Sequence, residues 1–513
     1  MKRFFLIPIL TTISIFVTYS NANAQTVADI ARFSRQTNIG TARSTAMGGA
    51  FTALGGNVYS MVKNPAGVAV FRNTELSITL APTISKATSR TQFTDGGVPT
   101  SMNAKGKRVS FQMDNLGLVM AFPVYGSKLQ YFNFGVNYSN TNNFNREIKR
   151  VVGSSPTSMT HVWALQSGTL APEHLNSLGE QLAYDTYLIN QDANGSYFSV
   201  LDYIQDAQYV TEPVSQTEQV REKGYQGDYT ISFGANISDK LYLGLGLAGE
   251  QISYKYTSLY REAAPLNSPS GLDYYDYSSW EHYDAVGFKA NFGFIYRPIK
   301  LLRIGAAIHT PTWWDVNYDT SAEIMALYNT KTDESIGRKD DWYNAYSDLT
   351  SYRYRMRTAW QADFGIAAVL GERVIVSADA EFVAYSKSKY SEVGENFYNF
   401  ESAYDNMNRD IRAVYTSRWN YAVGVEYKLT QNFSLRYGYK VNKSPYRNAE
   451  ESDLKQHNCG IGWSKDWATI DISYSNNKYG NTTQFYNWGN YQATHVNNNY
   501  RNDIIKLTLG AKF

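Results

Sequence analysis

Cysteine and histidine are scarce in this chain of 513 residues, which holds one cysteine and six histidines. With Cys459 alone, a disulfide within the chain is impossible. The histidines stand at 161, 174, 282, 309, 457 and 495, without the spacing that metal ligands show. We therefore expect no metal site and no cofactor.

Long hydrophobic runs are also missing from most of the chain. One apolar run, 4–17, follows Lys2-Arg3 and precedes the small-x-small site Ala22-Asn23-Ala24, a pattern typical of a secretory signal peptide. This run is shorter than the ~20 residues that a membrane-spanning helix needs, and nothing later comes close to that length. We predict a signal peptide over residues 1–24 and no helical membrane span after it.

An excess of one charge and the common catalytic motifs are absent as well. The formal net charge is +2 and the pI is near 8.2, so we expect no nucleic acid or strongly acidic partner. The sequence has no G-x-S-x-G, H-E-x-x-H, C-x-x-C or dinucleotide-binding fingerprint. We expect a protein that is not an enzyme. A hydrolase whose Ser-His-Asp set assembles from distant loops is the alternative.

Aromatic residues, in contrast, are abundant. The chain contains 42 Tyr, 24 Phe and 10 Trp, yet its mean hydropathy is −0.41. This combination is typical of a transmembrane β-barrel, in which only alternate residues meet lipid and aromatic residues line both rims. Length alone would also allow an array of two or three soluble β-sandwich domains.

Strands with a period of two recur from residue 74 to the end. From Phe433 to Asn442 every odd position is apolar or aromatic and every even one is polar or glycine. Cys459 falls in such a strand, and we interpret it as a lipid-facing or packing residue rather than a nucleophile. About fourteen strands are predicted, at 74–85, 108–122, 129–144, 227–237, 240–256, 284–297, 300–310, 355–369, 373–386, 412–428, 431–442, 455–464, 467–476 and 503–513.

The connections between these strands alternate between short and long. Short ones lie at 123–128, 238–239, 298–299, 371–372, 430 and 465–466. Longer ones lie at 86–107, 145–226, 257–283, 311–354, 387–411, 443–454 and 477–502. Short periplasmic turns and long outer loops are expected of an outer-membrane barrel with both termini in the periplasm. We therefore predict an all-β transmembrane antiparallel barrel over residues 74–513 with long extracellular loops.

The stretch from Gly40 to Arg72 differs from the rest of the chain. It is rich in Gly, Ala and Ser and has no sustained period of 2 or 3.6. A segment so small and irregular cannot bury a core of its own. A phosphate-binding loop is disfavoured because G-x-x-x-x-G-K-[ST] is absent and no hydrophobic strand precedes the segment. We predict that residues 25–73 form a plug, or hatch, inside the lumen.

Several motifs carry a family resemblance. Gly48-Gly49-Ala50-Phe51, Gly55-Gly56 and Asn64-Pro65-Ala66-Gly67 resemble the hatch of the FadL/TodX-type transporters of long-chain fatty acids and hydrocarbons, in its Bacteroidetes-like form. Further pieces are similar to the same family: the hairpin 293–298 with 303–305, and the segments 378–382 with 385–386, 424–427, and 436–439 followed by 444–446. The resemblance covers most of the chain after residue 24.

This resemblance implies passive uptake of hydrophobic small molecules, including long-chain fatty acids, across the outer membrane of a Gram-negative bacterium. It implies a monomer that contacts outer-membrane lipid, with Phe513 presented to the barrel assembly machinery. A non-transporting adaptor in protein secretion or surface attachment is the alternative. The connection 145–226 is long, so the ligand need not be a fatty acid.

Charged residues on the inward face of the strands are the candidate ligand contacts. Lys289, Arg303 or Arg436 would meet a ligand carboxylate, and His309 is a lumen-facing candidate for a hemin-type ligand. The alternative is a network of inner-wall salt bridges that holds the plug. Its predicted members are Lys289, Arg303, Asp363, Asp379, Glu381, Glu426, Arg436, Lys440 and Asp471.

Pro82 interrupts the first predicted strand. Proline cannot donate to a ladder, so we expect a break or bulge in the wall at this point. In the resembled family a kinked wall strand lets a hydrophobic ligand leave sideways into the bilayer. Pro82 is our candidate for that kink.

Overall fold

The fold is a closed antiparallel β-barrel of fourteen wall strands, in which the first strand pairs with the last. The computed structural model describes residues 27–38, 40–95, 98–205, 208–329, 332–371, 373–393, 404–448, 451–488 and 491–513, so the predicted signal peptide 1–24 lies outside the described residues. The wall strands, in chain order, are β1 (Glu75–Asp95), β2 (Val98–Pro123), β3 (Leu129–Asn143, continued as Arg146–Ser155), β4 (Val214–Ile237), β5 (Leu241–Ala263), β6 (Leu272–Ile299), β7 (Leu302–His309, continued as Trp313–Tyr328), β8 (Thr350–Arg357, continued as Gln361–Leu370), β9 (Val374–Val383, continued as Lys389–Ser391), β10 (Arg418–Lys428), β11 (Phe433–Asn442), β12 (Leu454–Lys465), β13 (Ala468–Thr483) and β14 (Val496–Lys512).

Alternation along the strands creates an apolar outer band, which we call the lipid belt. On β10 the outward side chains, Trp419, Tyr421, Val423, Val425 and Tyr427, are each at least 40% exposed, whereas their neighbours Asn420 and Glu426 are buried. On β1 the lipid belt extends from Leu76 to Ile84. The predicted strand count and the predicted inward and outward faces are therefore confirmed.

Short turns join the strands at one end of the barrel. Between β4 and β5, Ser238 and Asp239 both adopt positive φ, 55° and 57°, and Lys240 N donates to Ile237 O over 3.1 Å. Two consecutive positive φ angles define the turn type whose twist matches that of a hairpin. The plug and the start of β1 lie at this end.

The strands on the other side of the lipid belt are longer than the sequence predicts. The predicted connections 86–107 and 257–283 are wrong, because the β1–β2 pairing continues to Asp95↔Val98 and the β5–β6 pairing to Ala263↔Tyr274. The predicted connection 311–354 likewise contains strand over Trp313–Tyr328 and Thr350–Arg357. Beyond the lipid belt the outward face meets water, so the apolar period of two that marks a strand disappears there.

The described residues contain six short helices beside the barrel: α1 (Val27–Ser34), α2 (Ala42–Ala46), α3 (Ser60–Lys63), α4 (Met159–Ser167), α5 (Glu180–Asp185) and α6 (Tyr404–Val414). Turns of 3-10 helix occupy Pro65–Val70, Pro172–His174 and Tyr385–Lys387. The remaining short strands are Ile189–Gln191, Tyr197–Ser199, Asp202–Gln205, Gln208–Thr211, Trp342–Tyr346, Asn487–Trp488 and Tyr491–Gln492. Each described helix is too short or too polar to cross a membrane.

The long connection after β3 folds into a compact cap. Trp163 and Ala164 of α4 and Leu182 and Ala183 of α5 pack with buried aromatic residues, among them Tyr275 of β6. These aromatic residues lie on the inward faces of β5, β6 and β7, beyond the lipid belt. The cap therefore rests on the inner wall of the barrel at the end opposite the short turns.

Candidate functional site

The plug lies inside the barrel, and side chains of the wall bind its backbone. Asn133 Nδ2 of β3 donates to Val68 O over 2.8 Å and to Phe71 O over 2.9 Å. Asn291 Nδ2 of β6 donates to Met61 O over 3.0 Å. An irregular segment leaves many carbonyls without partners in its own backbone, so amides on the wall satisfy them.

The Asn64-Pro65-Ala66-Gly67 motif forms a fixed turn at the centre of the plug. Asn64 Oδ1 accepts from Ala66 N over 3.1 Å and caps the 3-10 turn Pro65–Val70. Its Nδ2 donates to Thr52 O over 2.6 Å and to Phe294 O of β6 over 3.2 Å. One side chain thus joins the plug to itself and to the wall.

Gly48 and Gly49 form another tight turn of the plug, with φ of 66° and 77°. A Cβ on Gly48 would lie 3.0 Å from Tyr439 N and 3.1 Å from Val423 O, both backbone atoms of the wall. Residues with a side chain rarely adopt a positive φ, and at Gly48 there is also no space for a Cβ.

A ring of wall glycines, which we call the glycine belt, surrounds the plug. A Cβ added to any of them would come closer than 3.0 Å to an atom of the plug. They occupy ten different strands: Gly117, Gly135, Gly234, Gly244, Gly293, Gly305, Gly365, Gly424, Gly438 and Gly460. The backbone of the wall therefore packs directly against backbone or side-chain atoms of the plug around most of the circumference.

Buried ion pairs add to this contact. Lys63 Nζ of α3 lies 2.6 Å from Asp363 Oδ1 of β8 and 2.7 Å from Glu381 Oε2 of β9. Arg43 Nε of α2 lies 2.9 Å from Glu426 Oε2 of β10. The inner-wall salt-bridge network is thus confirmed for these carboxylates, and its cations come partly from the plug.

The predicted ligand contacts Lys289 and His309 both lie in the lumen and already have protein partners. Lys289 Nζ is 2.7 Å from Asp228 Oδ2 and 2.6 Å from Glu250 Oε1. His309 Nε2 is 2.8 Å from Asp363 Oδ2. A role for either residue in binding a ligand stays a prediction.

Arg303 and Arg436 are held in a similar way. Arg303 Nη1 donates to Leu54 O of the plug over 2.6 Å. Arg436 Nε lies 2.6 Å from Glu426 Oε2, and its Nη1 lies 2.5 Å from Asp471 Oδ1. Their contact with a ligand carboxylate also stays a prediction, and it would require the ligand to compete with these bonds.

A chamber of about 250 Å³ lies between α1 and the wall. Arg32, Arg35 and Arg146 line it together with Glu222 and Glu451. Arg146 pairs with Glu222, and Arg35 Nη2 lies 2.6 Å from Glu451 Oε1. The chamber is therefore polar, and its arginines are balanced by acids within reach of the same space.

An aromatic cluster adjoins the chamber. Phe33 of α1 inserts among Phe144, Tyr254 and Tyr283, with ring centroids 5.6 to 6.0 Å apart. The guanidinium of Arg32 stands 4.7 Å from the centre of the Tyr254 ring. Sequence reasoning missed this cluster because its members come from the plug and from three different strands, which only the fold brings together.

The wall ladder between β2 and β3 ends early. It runs from Pro123↔Tyr131 to Asn115↔Ser139, and no further β2–β3 pair follows among the described residues. Beyond that point the two strands are joined by side chains, with Asn140 Nδ2 donating to Gln112 Oε1 over 2.6 Å. We call this interruption the wall gap.

A small cavity lies beside both the chamber and the wall gap. It measures about 30 Å³ and is lined by Asp114 at the edge of the gap and by Asn143 and Asn145, which also line the chamber. Lys506 Nζ of β14 lies 2.8 Å from Asp114 Oδ2 and closes the space with an ion pair.

Pro82 lies near the gap but on the neighbouring strand pair. The β1–β2 ladder passes through Pro82↔Phe111, whereas the β1–β14 ladder skips from Leu80↔Leu507 to Thr83↔Ile504. The ladder interruption that a proline requires is thus on the β14 side. A role for Pro82 in ligand exit stays a prediction.

The cap encloses an acidic group at the end opposite the plug. Glu262 of β5 is fully buried and accepts hydrogen bonds from Ser158 Oγ, from Met159 N over 3.0 Å and from Gln216 Nε2 over 2.9 Å. It has no cation partner among the described residues. Burial raises the pKa of Glu262 above its usual range, and the hydrogen bonds oppose that rise.

Comparison with solved structures identifies this architecture. The chain matches the crystal structure of a Pseudomonas aeruginosa FadL homologue with a TM-score of 0.55 and 12% identity, over 94% of this chain and 99% of that one. The chain has the FadL fold. The toluene transporters TodX of Pseudomonas putida and TbuX of Ralstonia pickettii are also similar, each with a TM-score of 0.48, at 13% and 14% identity, over 93% of this chain and 99% of theirs.

Sequence comparison adds no further relative. No protein-family model matches the chain, and no curated protein matches it. The FadL fold is therefore recognised from the structure and from the hatch motifs, Asn64-Pro65-Ala66-Gly67 above all. In the part of the chain that the structure describes, no group of His, Cys, Asp and Glu is placed to hold a metal ion.

Proposed function

We propose that this protein is a monomeric outer-membrane channel for the passive uptake of hydrophobic small molecules, long-chain fatty acids among them. Its short turns and both termini face the periplasm, and it catalyses no reaction. The observation that carries this proposal is the wall gap between β2 and β3, next to a small cavity that Asp114 lines and that shares Asn143 with the chamber beside α1.

The filled lumen supports a hydrophobic rather than a hydrophilic substrate. At the glycine belt the described plug is in close contact with ten of the fourteen strands, which supports a lumen without a wide water-filled pore along the barrel axis. An apolar molecule does not need such a pore, because it can leave the lumen sideways into lipid. The chamber suits an amphipathic acid, whose carboxylate would compete with Asp29 for Arg32 or with Glu222 for Arg146 while the adjacent tyrosines contact the chain.

The proposed transport cycle requires no energy source. The ligand is captured at the outer end, displaces Phe33 or part of α1 from the aromatic cluster, and is released when the plug and the ion pair of Asp114 with Lys506 rearrange. The ligand can drive this change only as far as its affinity differs between the two states.

Uptake assays with a cross-linked wall gap test this function. Gln112→Cys and Asn140→Cys, joined by a short bismaleimide in a Cys459→Ser background, would fix the gap closed. We expect radiolabelled oleate uptake by a deletion strain carrying this variant to fall at least tenfold after cross-linking. The matched control joins Phe122→Cys and Phe132→Cys, directly paired positions where the ladder is intact, and should leave uptake unchanged.

Two results would contradict the proposal. Normal oleate and hydrocarbon uptake in the deletion strain itself would reject transport, and a simultaneous loss of secreted surface proteins would favour the adaptor function. Equal uptake by the cross-linked and control variants would reject the wall gap as the route. Mass spectrometry of lipids that co-purify with the detergent-extracted protein would identify the ligand class directly.

A further inference from the structure

Five cations form a continuous row across the outer face of the barrel. They are Lys107 on β2, Lys86 on β1, Arg501 on β14, Lys478 on β13 and Lys455 on β12. Each is the direct cross-strand neighbour of the next, with the pairs Lys86↔Lys107, Lys86↔Arg501, Lys478↔Arg501 and Lys455↔Lys478. All five side chains are exposed. We call them the cationic row.

The cationic row lies at the edge of the lipid belt. Lys86 follows Glu75, at the short-turn end of β1, by eleven residues. At ~3.3 Å per residue and a tilt of ~40°, this separation spans ~28 Å across the membrane, close to the ~25 Å height of an apolar band. The outward neighbours one step towards the short turns include the apolar Ile84 and Val109. The row therefore marks the boundary between lipid and water.

Carboxylates of the protein neutralise only part of this row. Asp503 lies 3.1 Å from Lys86 Nζ and 3.0 Å from Arg501 Nε. Among the described residues Lys107, Lys455 and Lys478 have no carboxylate within ion-pair distance. Like charges directly opposite one another destabilise a sheet. An arrangement of this kind is explained most simply by an anion that binds across the strands.

The row also borders a groove rather than a flat surface. A cavity of about 680 Å³ is lined by four of its members, Lys86, Lys455, Lys478 and Arg501, and by neutral hydrogen-bonding groups such as Asn499. Asp453 is the acidic residue in this lining, and Lys443 Nζ already pairs with it over 2.7 Å. The groove thus combines positive charge with hydrogen-bonding groups suited to sugar hydroxyls.

Elsewhere on the barrel surface several charges are balanced internally. On β7 and β8, Asp315 Oδ2 lies 2.7 Å from Arg353 Nη2. On β5 and β6, Arg261 Nε lies 2.6 Å from Asp276 Oδ1. Exposed cations without an ion-pair partner among the described residues also occur on β4 and β5, where Lys223 lies opposite Lys255. The cationic row differs from that pair because it continues over five strands and borders the groove.

We propose that the groove beside the cationic row binds the phosphate groups of a phosphorylated glycolipid, of the lipopolysaccharide type, in the outer leaflet. Its acyl chains would lie along the lipid belt beside Ile84 and Val109, and its sugars would contact Asn499. This proposal rests on the proposed function in one respect, which is the location in the outer membrane with the short turns in the periplasm.

A charge-neutralised variant tests the proposal. Lys107→Gln, Lys455→Gln and Lys478→Gln remove three charges that have no carboxylate partner among the described residues. The matched control, Arg221→Gln, Lys223→Gln and Lys255→Gln, removes three exposed charges on β4 and β5. Binding of purified lipopolysaccharide to the full-length protein in detergent is measured by native mass spectrometry and calorimetry. The same lipid after enzymatic dephosphorylation, and inorganic phosphate alone, serve as additional probes.

We expect the triple variant to bind phosphorylated glycolipid about 100-fold more weakly, because each lysine near an anionic lipid surface contributes roughly a factor of five. The control should change affinity less than about threefold, and the dephosphorylated lipid should bind the native protein as weakly as the phosphorylated lipid binds the triple variant. Equal affinities for the triple and control variants would overturn the proposal. Competition by inorganic phosphate at lipid-like concentrations would replace it with a free-phosphate site.

Folding and orientation are checked separately. Heat-modifiable gel mobility reports whether the triple variant folds, and Lys478→Gln alone, with an expected fivefold loss, replaces it if it does not. Labelling of Lys107→Cys, in a Cys459→Ser background, by an impermeant maleimide on intact cells tests the orientation. No labelling would reject the membrane placement shared with the proposed function, whereas labelling without lipid binding would reject the glycolipid site alone.

Discussion

Gly244 on β5 faces the plug so closely that an added Cβ would lie 2.1 Å from Ala66 N and 2.1 Å from the carbonyl carbon of Pro65. We expect Gly244→Ala to lower the free energy of unfolding by about 1 to 3 kcal/mol, because backbone atoms cannot move aside as a flexible side chain can. Denaturant unfolding in lipid vesicles measures the change. Gly249→Ala on the same strand is the control, since its Cβ would meet nothing within 4 Å, and equal losses would contradict the prediction.

Lys63 illustrates the cost of breaking a buried ion pair. Lys63→Met would remove the cation that Asp363 and Glu381 share and leave them with His309 and the more distant Lys440, and we expect the free energy of unfolding to fall by about 3 to 5 kcal/mol. Conductance of single channels in planar bilayers should rise as the plug loosens. Arg72→Met, which removes the exposed pair with Asp239, should cost less than about 1 kcal/mol and leave conductance unchanged. A silent Lys63 variant would show that the wall holds the plug by packing alone.

Residue pairings of this kind were beyond sequence reasoning. The inward position of Asp363 and Glu381 follows from the period of two, but their partner lies 300 and 318 residues away. Only the closed fold brings the three together. The same holds for Lys289, whose inward face was predicted correctly while its partners Asp228 and Glu250 depend on strand register.

The cap is the element in which pH should matter most. Burial raises the pKa of Glu262 above its unfolded value of about 4.3, so the folded cap binds the proton more tightly. The resulting stabilisation is complete below the unfolded pKa and is lost as pH rises through the folded one. Hydrogen exchange in α4 should therefore be slower at pH 5 than at pH 7.5, after correction for the intrinsic rate.

Variants isolate the contribution of this carboxyl group. Glu262→Gln should reduce the pH dependence of exchange in α4. The ratio of the exchange rates at pH 7.5 and pH 5 should fall by about tenfold for each unit by which folding raises the pKa of Glu262. Glu173→Gln, an exposed acid of the same cap, should leave the dependence as it is. Identical profiles for all three proteins would place the pH response elsewhere.

Strands inside the lipid belt could be predicted from sequence, and those beyond it could not. From Trp419 to Tyr427, apolar and polar residues alternate because one face of the strand meets lipid and the other meets the lumen. The two environments therefore produce the pattern in the sequence. Near Lys86 both faces meet polar surroundings, and the chain resembles a loop although it is fully paired. Phe144 and Tyr254 lie on predicted strands, but their contact with Phe33 depends on where the plug lies in the barrel, which no local pattern gives.

For the whole molecule, fold and plug were accessible because they rest on chain-wide regularities. Fourteen alternating strands require a closed wall, and the glycine-rich stretch around Gly48 and Asn64 requires a container. The wall gap depends instead on where the β2–β3 ladder stops, at Asn115↔Ser139. The local amino-acid composition does not indicate that point. A FadL fold at 12% identity shows how little individual residues are constrained outside such features.

Contact between the two ends of the chain limits the order of biogenesis. Ala42 N of the plug donates to Thr508 Oγ1 of β14, and Lys506 Nζ of the same strand donates to Gly40 O, both across the seam where the cylinder closes. Because the glycine belt leaves no space between plug and wall, the leading segment could not enter a barrel that has already closed. We therefore expect the leading segment to dock before the last strand closes the seam.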